Sequence, residues 1–484
     1  MAVSISSRSA GDALRLVGRR ACQALAALAV AALPWHAAQA QPAGGQGRVS
    51  TIRDTEIENL LRDYTRPILK AAGLAQQNVE VVLINDRSFN AFVADGRRIF
   101  VNTGALIDSK TPNQIIGVLA HESGHIAGGH LARMRQQLAG AQTMAVVAML
   151  LAGAGVAAGA ASGMDGRNLG NVAAAGMSAP QEMIRRSLLS YQRSEEQAAD
   201  RSAVRYLNAA KQSSKGMLET FERFQNDQLF ISQRIDPYLL SHPMARERIA
   251  ALEQLAKSSP YYNVKDPPAL QERHDLMRAK LIAFTERPEA VARQYPYSDT
   301  SLAAQYARAI SAYRFGNVNG AVAQIDALIA RQPNNPYFYE LKGQALLEAG
   351  RAGQAVPVLR KAVDLSNGAP LIRGMLGQAL VQTGSGGKPE DAIPELIQAT
   401  QRDPNSAGAW RSLSIAYGRK GDLANADLAA ANAAIAGGDI KLGRELAARA
   451  RKRFPTGSPG WLRADDLVNF KPPQSAQGGR SDDR

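Results

Sequence analysis

The chain of 484 residues contains one cysteine, Cys22, and few aromatics, 6% in all. A single cysteine excludes an internal disulfide and any cysteine-rich metal site, so chemistry has to come from His, Asp, Glu and Ser. Histidine is also scarce, with six in the chain. Basic runs are missing as well. The balance of 57 Lys and Arg against 43 Asp and Glu gives +14, but no stretch of five or six basic residues marks a nucleic-acid arm. No nucleic-acid partner is expected, and the mildly basic surface suits an anionic membrane face or acidic partners equally. With 45% hydrophobic and 21% charged residues, the composition is globular. The length suggests two or three domains.

The first forty residues read as a secretory signal peptide. Arg8, Arg15, Arg19 and Arg20 precede an apolar run from Ala24 to Trp35, and Ala38-Gln39-Ala40 has the small-x-small form of a cleavage site. The run is too short for a permanent span. Cleavage after Ala40 places the mature protein in the periplasm, removes Cys22 and leaves five histidines.

Residues 41–50 read as a flexible lead-in. EIENLLRDYTRPILKAAGL predicts a helix closing at Gly73, VEVVLI a strand, and FNAFVADGRRIFVNTGAL a hairpin with Asp95-Gly96 as its two-residue turn. Thr111-Pro112-Asn113-Gln114 opens a helix, with Thr as N-cap, Pro at the first helical position and Gln three residues after the cap. That helix carries IIGVLAHESGHIAGGHLARM. A further helix begins after Arg193 with SEEQAADRSAVRYL, and helices continue to about Leu255. Pro260, Pro267 and Pro268 mark a boundary before a helical segment reaching about Thr285.

From about residue 300 a period emerges. Gly316 and Gly350 lie 34 apart, and Ala321, Ala355, Ala392 and Ala426 are spaced 34, 37 and 34. The longer interval coincides with GSGGKPED, which reads as a three-residue loop insertion. A 34-residue period with Gly before the turn, Ala in the second helix and Pro at the end resembles the tetratricopeptide repeat. One helix pair cannot bury its apolar face alone, so the units stack into a superhelix with a concave groove. The boundaries read as signal peptide 1–40, catalytic domain 41–262, helical linker 263–299, repeats 300–472 and a disordered tail 473–484.

The chemistry rests on His121-Glu122-Ser123-Gly124-His125. On a helix, positions i and i+4 point the same way, so two imidazoles can share one metal. Glu122 follows one ligand closely enough to take a proton from a water on that metal. A hydrolytic site needs a third protein ligand. His130 stands nine residues after His121, where the extended HExxHxxGxxH motif requires ten, and the tenth is Leu131. His130 is therefore expected to pack or cap its own helix. Glu196 and Asp200 share a helix face continued by Ala203 and Leu207. Spacing alone leaves open whether this is a metal-binding face or a solvated acidic one, the reading that fits Glu195.

HESGH, the downstream ExxAD, NAFVADGRRIFVNTGAL and SHPMARERI together resemble the HtpX-like and prenyl-protease-like zinc metalloproteases, over nearly the whole mature chain once the repeats are included. The resemblance implies an α+β zincin-like metalloprotease domain followed by an all-α tetratricopeptide-repeat superhelix. It implies one zinc per chain held by His121, His125 and Glu196, in the gluzincin manner, with Glu122 as catalytic base. Asp200 becomes a second acid that assists proton transfer or orients a ligand histidine. The order signal peptide, protease, repeats implies a periplasmic endopeptidase acting on misassembled envelope proteins, with the repeat groove recruiting it to the outer-membrane protein assembly machinery. The alternative is a chaperone or scaffold whose main role the repeats carry.

Two segments carry further expectations. Residues 136–164 contain no charge, but His121 and His125 lie before them and Glu196 after. One crossing would separate ligands that must meet, and the stretch is too short for two spans. A loop beside the active site, with peripheral membrane contact at most, is expected. Ser241-His242-Pro243 reads as a loop whose histidine is free to swing, since Pro243 biases its predecessor to extended backbone. With the resemblance it lies over the cleft, where His242 takes the fourth zinc position as a self-inhibitory gate. The edge of the sheet formed by VEVVLI and the hairpin is where a substrate strand is expected to lie.

Overall fold

The computed structural model describes residues 50–140, 143, 166–230, 238, 241–244, 246–383 and 389–471. Residues 1–40, read from the sequence as a signal peptide, nearly all of the lead-in, most of the uncharged stretch, the start of GSGGKPED and the tail from 473 lie outside them. Among the described residues, no helix is long and apolar enough to cross a membrane.

The fold is α+β at the start and all-α after it. Strand β1 (Thr51–Ile52) leads into helix α1 (Thr55–Ala71), whose N-terminus Asp54 caps by accepting a bond from the Ile57 N–H at 3.0 Å. Ile57, Leu60, Leu61, Tyr64 and Ile68 recur at helical spacing and are all buried, which fixes α1 against the core. Strands β2 (Glu80–Ile84), β3 (Ala91–Val93) and β4 (Arg98–Asn102) complete a sheet of order β1-β2-β4-β3. β2 pairs parallel to β4, and β3 pairs antiparallel to it. The hairpin is thus present, but its turn spans residues 94–97, longer than two residues. Gly96 takes φ +76°, and the Asp95 carboxylate accepts from the N–H groups of Arg97 and Arg98. VEVVLI lies inside the sheet, between β1 and β4. The free edge on the hairpin side is β3.

Helix α2 (Thr103–Asp108) is followed by α3 (Pro112–Gly128), which carries HESGH. Thr111 is its N-cap and Pro112 its first residue, but the Thr111 side chain makes no capping bond. Gln114 instead accepts from the Lys110 N–H at 2.7 Å, and Asp266 accepts from the Asn113 N–H at 2.9 Å. Residues 130–140 are helical. Helices α4 (Gly166–Ala209), α5 (Lys215–Phe230) and α6 (Arg246–Lys257) follow. Small residues let these helices close on one another. A Cβ on Gly117 of α3 would lie 2.5 Å from Met217 Cβ on α5, and one on Gly124 would lie 3.0 Å from the Ala199 carbonyl oxygen on α4.

Helix α7 (Pro268–Thr285), read from sequence as part of a linker, is a buried brace. Its His274 is 0% exposed and bridges the Tyr64 hydroxyl at 2.9 Å and the Ser109 carbonyl at 2.8 Å. Short α8 (Pro288–Gln294) leads to five helix pairs, α9 (Leu302–Phe315) with α10 (Val318–Arg331), α11 (Pro336–Glu348) with α12 (Ala352–Leu365), α13 (Pro370–Gln382) with α14 (Pro389–Arg402), α15 (Ala407–Lys420) with α16 (Leu423–Ala436), and α17 (Ile440–Arg453) with α18 (Pro459–Val468). The periodic alanines 321, 355, 392 and 426 are all buried. Two further glycines 34 residues apart, Gly343 and Gly377, have a packing reason, since a Cβ on either would fall within 2.4 Å of Leu359 or Leu396 respectively. One core runs without break from Ile57 to Ala345 and joins the first repeat to the sheet domain. Polar contacts extend this junction, with Lys280 holding Asp54 and Glu56, the Tyr306 hydroxyl donating to Glu56, and Arg53 reaching Asp403 at 2.9 Å.

Candidate metal centre

Helix α3 is buried around most of its circumference. Its i, i+4 spacing stacks His121 and His125 on one side, with their Nε2 atoms 3.0 Å apart. The close approach at Gly124 brings α4 alongside, and Glu196 meets them there. Its Oε2 is 3.3 Å from His121 Nε2 and its Oε1 is 3.5 Å from His125 Nε2. A fourth donor is His242 Nδ1, 3.3 Å from His121 Nε2 and 3.1 Å from Glu196. All four donor atoms lie within 4.8 Å of one another. With either Glu196 oxygen taken as the donor, four of the six separations are 3.0–3.5 Å. A tetrahedral ion with bonds of about 2.0–2.2 Å sets its ligands about 3.3–3.6 Å apart, so the cluster has the dimensions of a coordination shell.

The charges fit as well. Glu122, Glu196 and Asp200 are buried beside one buried guanidinium, that of Arg248, an excess of carboxylate that suits a divalent cation. Arg248 grips Asp200 through Nε and NH2, at 2.6 and 2.8 Å, and reaches Glu196 Oε2 from NH1 at 2.8 Å. Burial alone would raise the Glu196 carboxyl, but the charges of His242 and Arg248 and hydrogen bonds from His121 and His242 hold it well below the usual range. Burial pushes the Glu122 carboxyl up, and among the described residues its Oε1 has no hydrogen-bond partner. His125 is pushed well down by burial and by the charge of His121, which leaves its ring neutral with a lone pair to give.

Every site residue read from the sequence converges here, with roles distributed by position. His121, His125 and Glu196 point their donors at one another. Asp200 lies behind His121, its Oδ1 2.9 Å from Nδ1. That distance suits orienting the ring, the second of the two roles left open for it. His242 is not a loosely swinging residue. It is 5% exposed, its N–H donates to the Tyr238 carbonyl at 2.8 Å, and its ring packs against Tyr238 at 4.6 Å. Its Nε2 lies 3.4 Å from Glu122 Oε1, so the imidazole bridges the donor cluster and the carboxyl expected to act as base. His130 neither binds the cluster nor merely caps its helix. It contacts His125 and Glu195, and Glu195 is paired rather than solvated. Arg248 received no role from the sequence, although SHPMARERI contains it. The available signal was an arginine six residues after His242, and nothing local says that it is buried.

Comparison with known proteins agrees with the architecture. Residues 53–256 match peptidase family M48, and residues 306–370 and 375–439 match the tetratricopeptide repeat. The protein therefore joins an M48 metallopeptidase domain to a helical repeat array. Over 384 residues it is 27% identical to the beta-barrel assembly-enhancing protease of Escherichia coli (strain K12), covering 76% of this chain and 73% of that one. The protein of the same name from Yersinia pestis is 25% identical over 400 residues, covering 80% and 77%. Among solved structures, YrrB, described as a TPR protein with an unusual peptide-binding site, aligns with 36% of this chain and 89% of its own at 19% identity and a TM-score of 0.29.

Proposed function

We propose that the protein is a zinc-dependent endopeptidase of the periplasm that degrades misassembled outer-membrane or envelope proteins and is recruited to their assembly machinery through its repeats. The observation that carries this reading is the cluster of His121, His125, Glu196 and His242 with the Glu122 carboxyl beside it. The name shared by the relatives supports the partner class.

In this reading His121, His125 and Glu196 hold one zinc, which supplies Lewis acidity to the scissile carbonyl and to the attacking water. Glu122 accepts the water's proton and returns it to the leaving amine. Burial raises its carboxyl towards the pH range where both steps are favourable. Asp200 and Arg248 position the donors from behind. The client strand adds to β3, the sheet edge on the hairpin side. His242 acts as a gate, because an imidazole between Glu122 and the donors excludes water from the place where it must be activated.

The test is metal analysis of the mature protein with casein degradation, with and without chelator. His121→Ala and His125→Ala should lose zinc and activity together, and Glu122→Gln should keep zinc and lose activity. Zinc retained in both histidine variants refutes the assignment. Closure of the cluster by four protein donors is the pattern of a structural zinc site, and it favours a second reading in which the repeats carry a chaperone or scaffold role. Full complementation of a deletion strain by Glu122→Gln would establish that second reading.

A further inference from the structure

The residues that flank the metal cluster at His125 form a continuous chain of polar contacts. His125 Nδ1 lies 2.9 Å from His130 Nδ1, His130 Nε2 lies 2.9 Å from Glu195 Oε2, and Arg133 reaches the same oxygen at 2.6 Å. Arg133 is held in turn by the Tyr191 hydroxyl, 3.2 Å from Nε, and by the Gly128 carbonyl. From this geometry we infer that His130 is a positioning residue for the metal site. It fixes the ring and tautomer of His125, and Glu195 and Arg133 fix His130.

The tautomers follow from the donor count. A metal-facing Nε2 on His125 must carry a lone pair, which puts the ring proton on Nδ1. That proton can be donated only if His130 Nδ1 accepts it, so His130 carries its own proton on Nε2 and donates it to Glu195. One assignment satisfies every member, and Arg133 donates to the same Glu195 oxygen.

The backbone is shaped for this contact. In an unbroken helix, His130, five residues after His125, would sit on a different face. Gly129 ends α3 in the left-handed region, at φ +65°, and turns the chain so that the His130 ring comes back against His125. Gly128 leaves the space for that ring, since a Cβ there would lie 2.1 Å from His130 Nε2. The pair of glycines thus accounts for a third histidine at a spacing that suits no direct ligand. His121 is steadied by Asp200 and His125 by His130. Loss of a residue that hydrogen-bonds a metal ligand from behind typically lowers metal affinity about 10–100-fold.

This inference rests on the metal reading above, and its test separates the two. Zinc affinity is measured by chelator competition in the full mature chain, together with the visible spectrum of the cobalt-substituted protein. His130→Ala should bind zinc at least about tenfold more weakly and shift the cobalt bands. His130→Asn, whose amide oxygen can accept from His125 Nδ1, should restore most of the affinity and the wild-type bands. Glu195→Gln should weaken binding in the same direction by a smaller factor. His130→Ala with unchanged affinity and spectrum overturns the proposal, as does His130→Asn behaving like the alanine variant. Should His130→Ala fail to fold, unchanged affinity in Glu195→Gln overturns it instead. A wild type that takes up no zinc refutes the metal reading first, and this inference with it.

Discussion

Glu340 offers a quantitative test of the junction between the M48 domain and the repeats. It sits on α11 with 7% exposure, and among the described residues its Oε2 has no hydrogen-bond partner. The nearby cation, Lys280, already holds Asp54 at 2.7 Å and Glu56 at 3.1 Å. Three acids thus share one ammonium, and the least well bonded of them gives way. Burial, outweighing the attraction of Lys280, raises Glu340 from the usual 4.5 to about 8. Between those values the folded chain keeps a proton that the unfolded chain has released, so stability falls as pH rises through this window and is level above it. Three and a half pH units at about 1.36 kcal/mol each give an upper limit of about 5 kcal/mol. Glu340 lines a cavity of about 410 Å³, large enough to admit water, and solvation there would reduce this figure. Glu340→Gln removes the titration while keeping the shape. It should match wild type near pH 4.5 and be more stable at pH 8.5 by at least about 1 kcal/mol, a rise of roughly 2–4 °C in Tm. Thermal unfolding followed by circular dichroism at both pH values measures it. A variant less stable than wild type at pH 8.5, or equally stabilised at both, would refute the reasoning.

Three further outcomes follow from the packing and the site. Gly117→Ala forces a Cβ to within 2.5 Å of Met217 Cβ and 2.8 Å of its Cα, so α3 and α5 must separate, and unfolding experiments should show a loss of about 1–3 kcal/mol. Glu196→Ala should weaken zinc binding far more than Glu195→Ala, because Glu196 stands in the donor cluster and Glu195 acts only through His130; equal effects by calorimetry would mean that the wrong carboxylate has been chosen. His242→Ala should raise peptidase activity at equal zinc occupancy if the imidazole bridging Glu122 and the donors is a gate. Lost activity would make it a working catalytic group.

Much of this protein was legible in its sequence because the signals concerned were local. The i, i+4 geometry of His121 and His125 follows from helical pitch alone, and Glu122 comes with it. The repeats announced themselves through a period, since each unit must bury the same small residues against its neighbour, and Ala321, Ala355, Ala392 and Ala426 are indeed buried. The hairpin was visible in Asp95-Gly96, although its turn length was not, because the Asp95 carboxylate that caps two N–H groups also supports a longer loop.

What only the tertiary structure decided involves residues far apart in the chain. Glu196 and Glu195 are adjacent in sequence, yet the helix packing allowed by Gly124 turns one towards the histidines and leaves the other to His130 and Arg133. His242 meets His121 across 121 residues, and its burial against Tyr238 depends on where α5 and α6 come to rest. Arg248 looks like any surface arginine on α6 until two carboxylates close around it. Helix α7 read as a linker because its composition is unremarkable, and it became a brace once its buried face met α1 and the first repeat. Pitch and period act over a few residues and are written into the chain. The protonation of Glu340, the tautomer of His125 and the choice of carboxylate depend on which charges and dipoles share a low-dielectric interior, and that is set only when the helices pack.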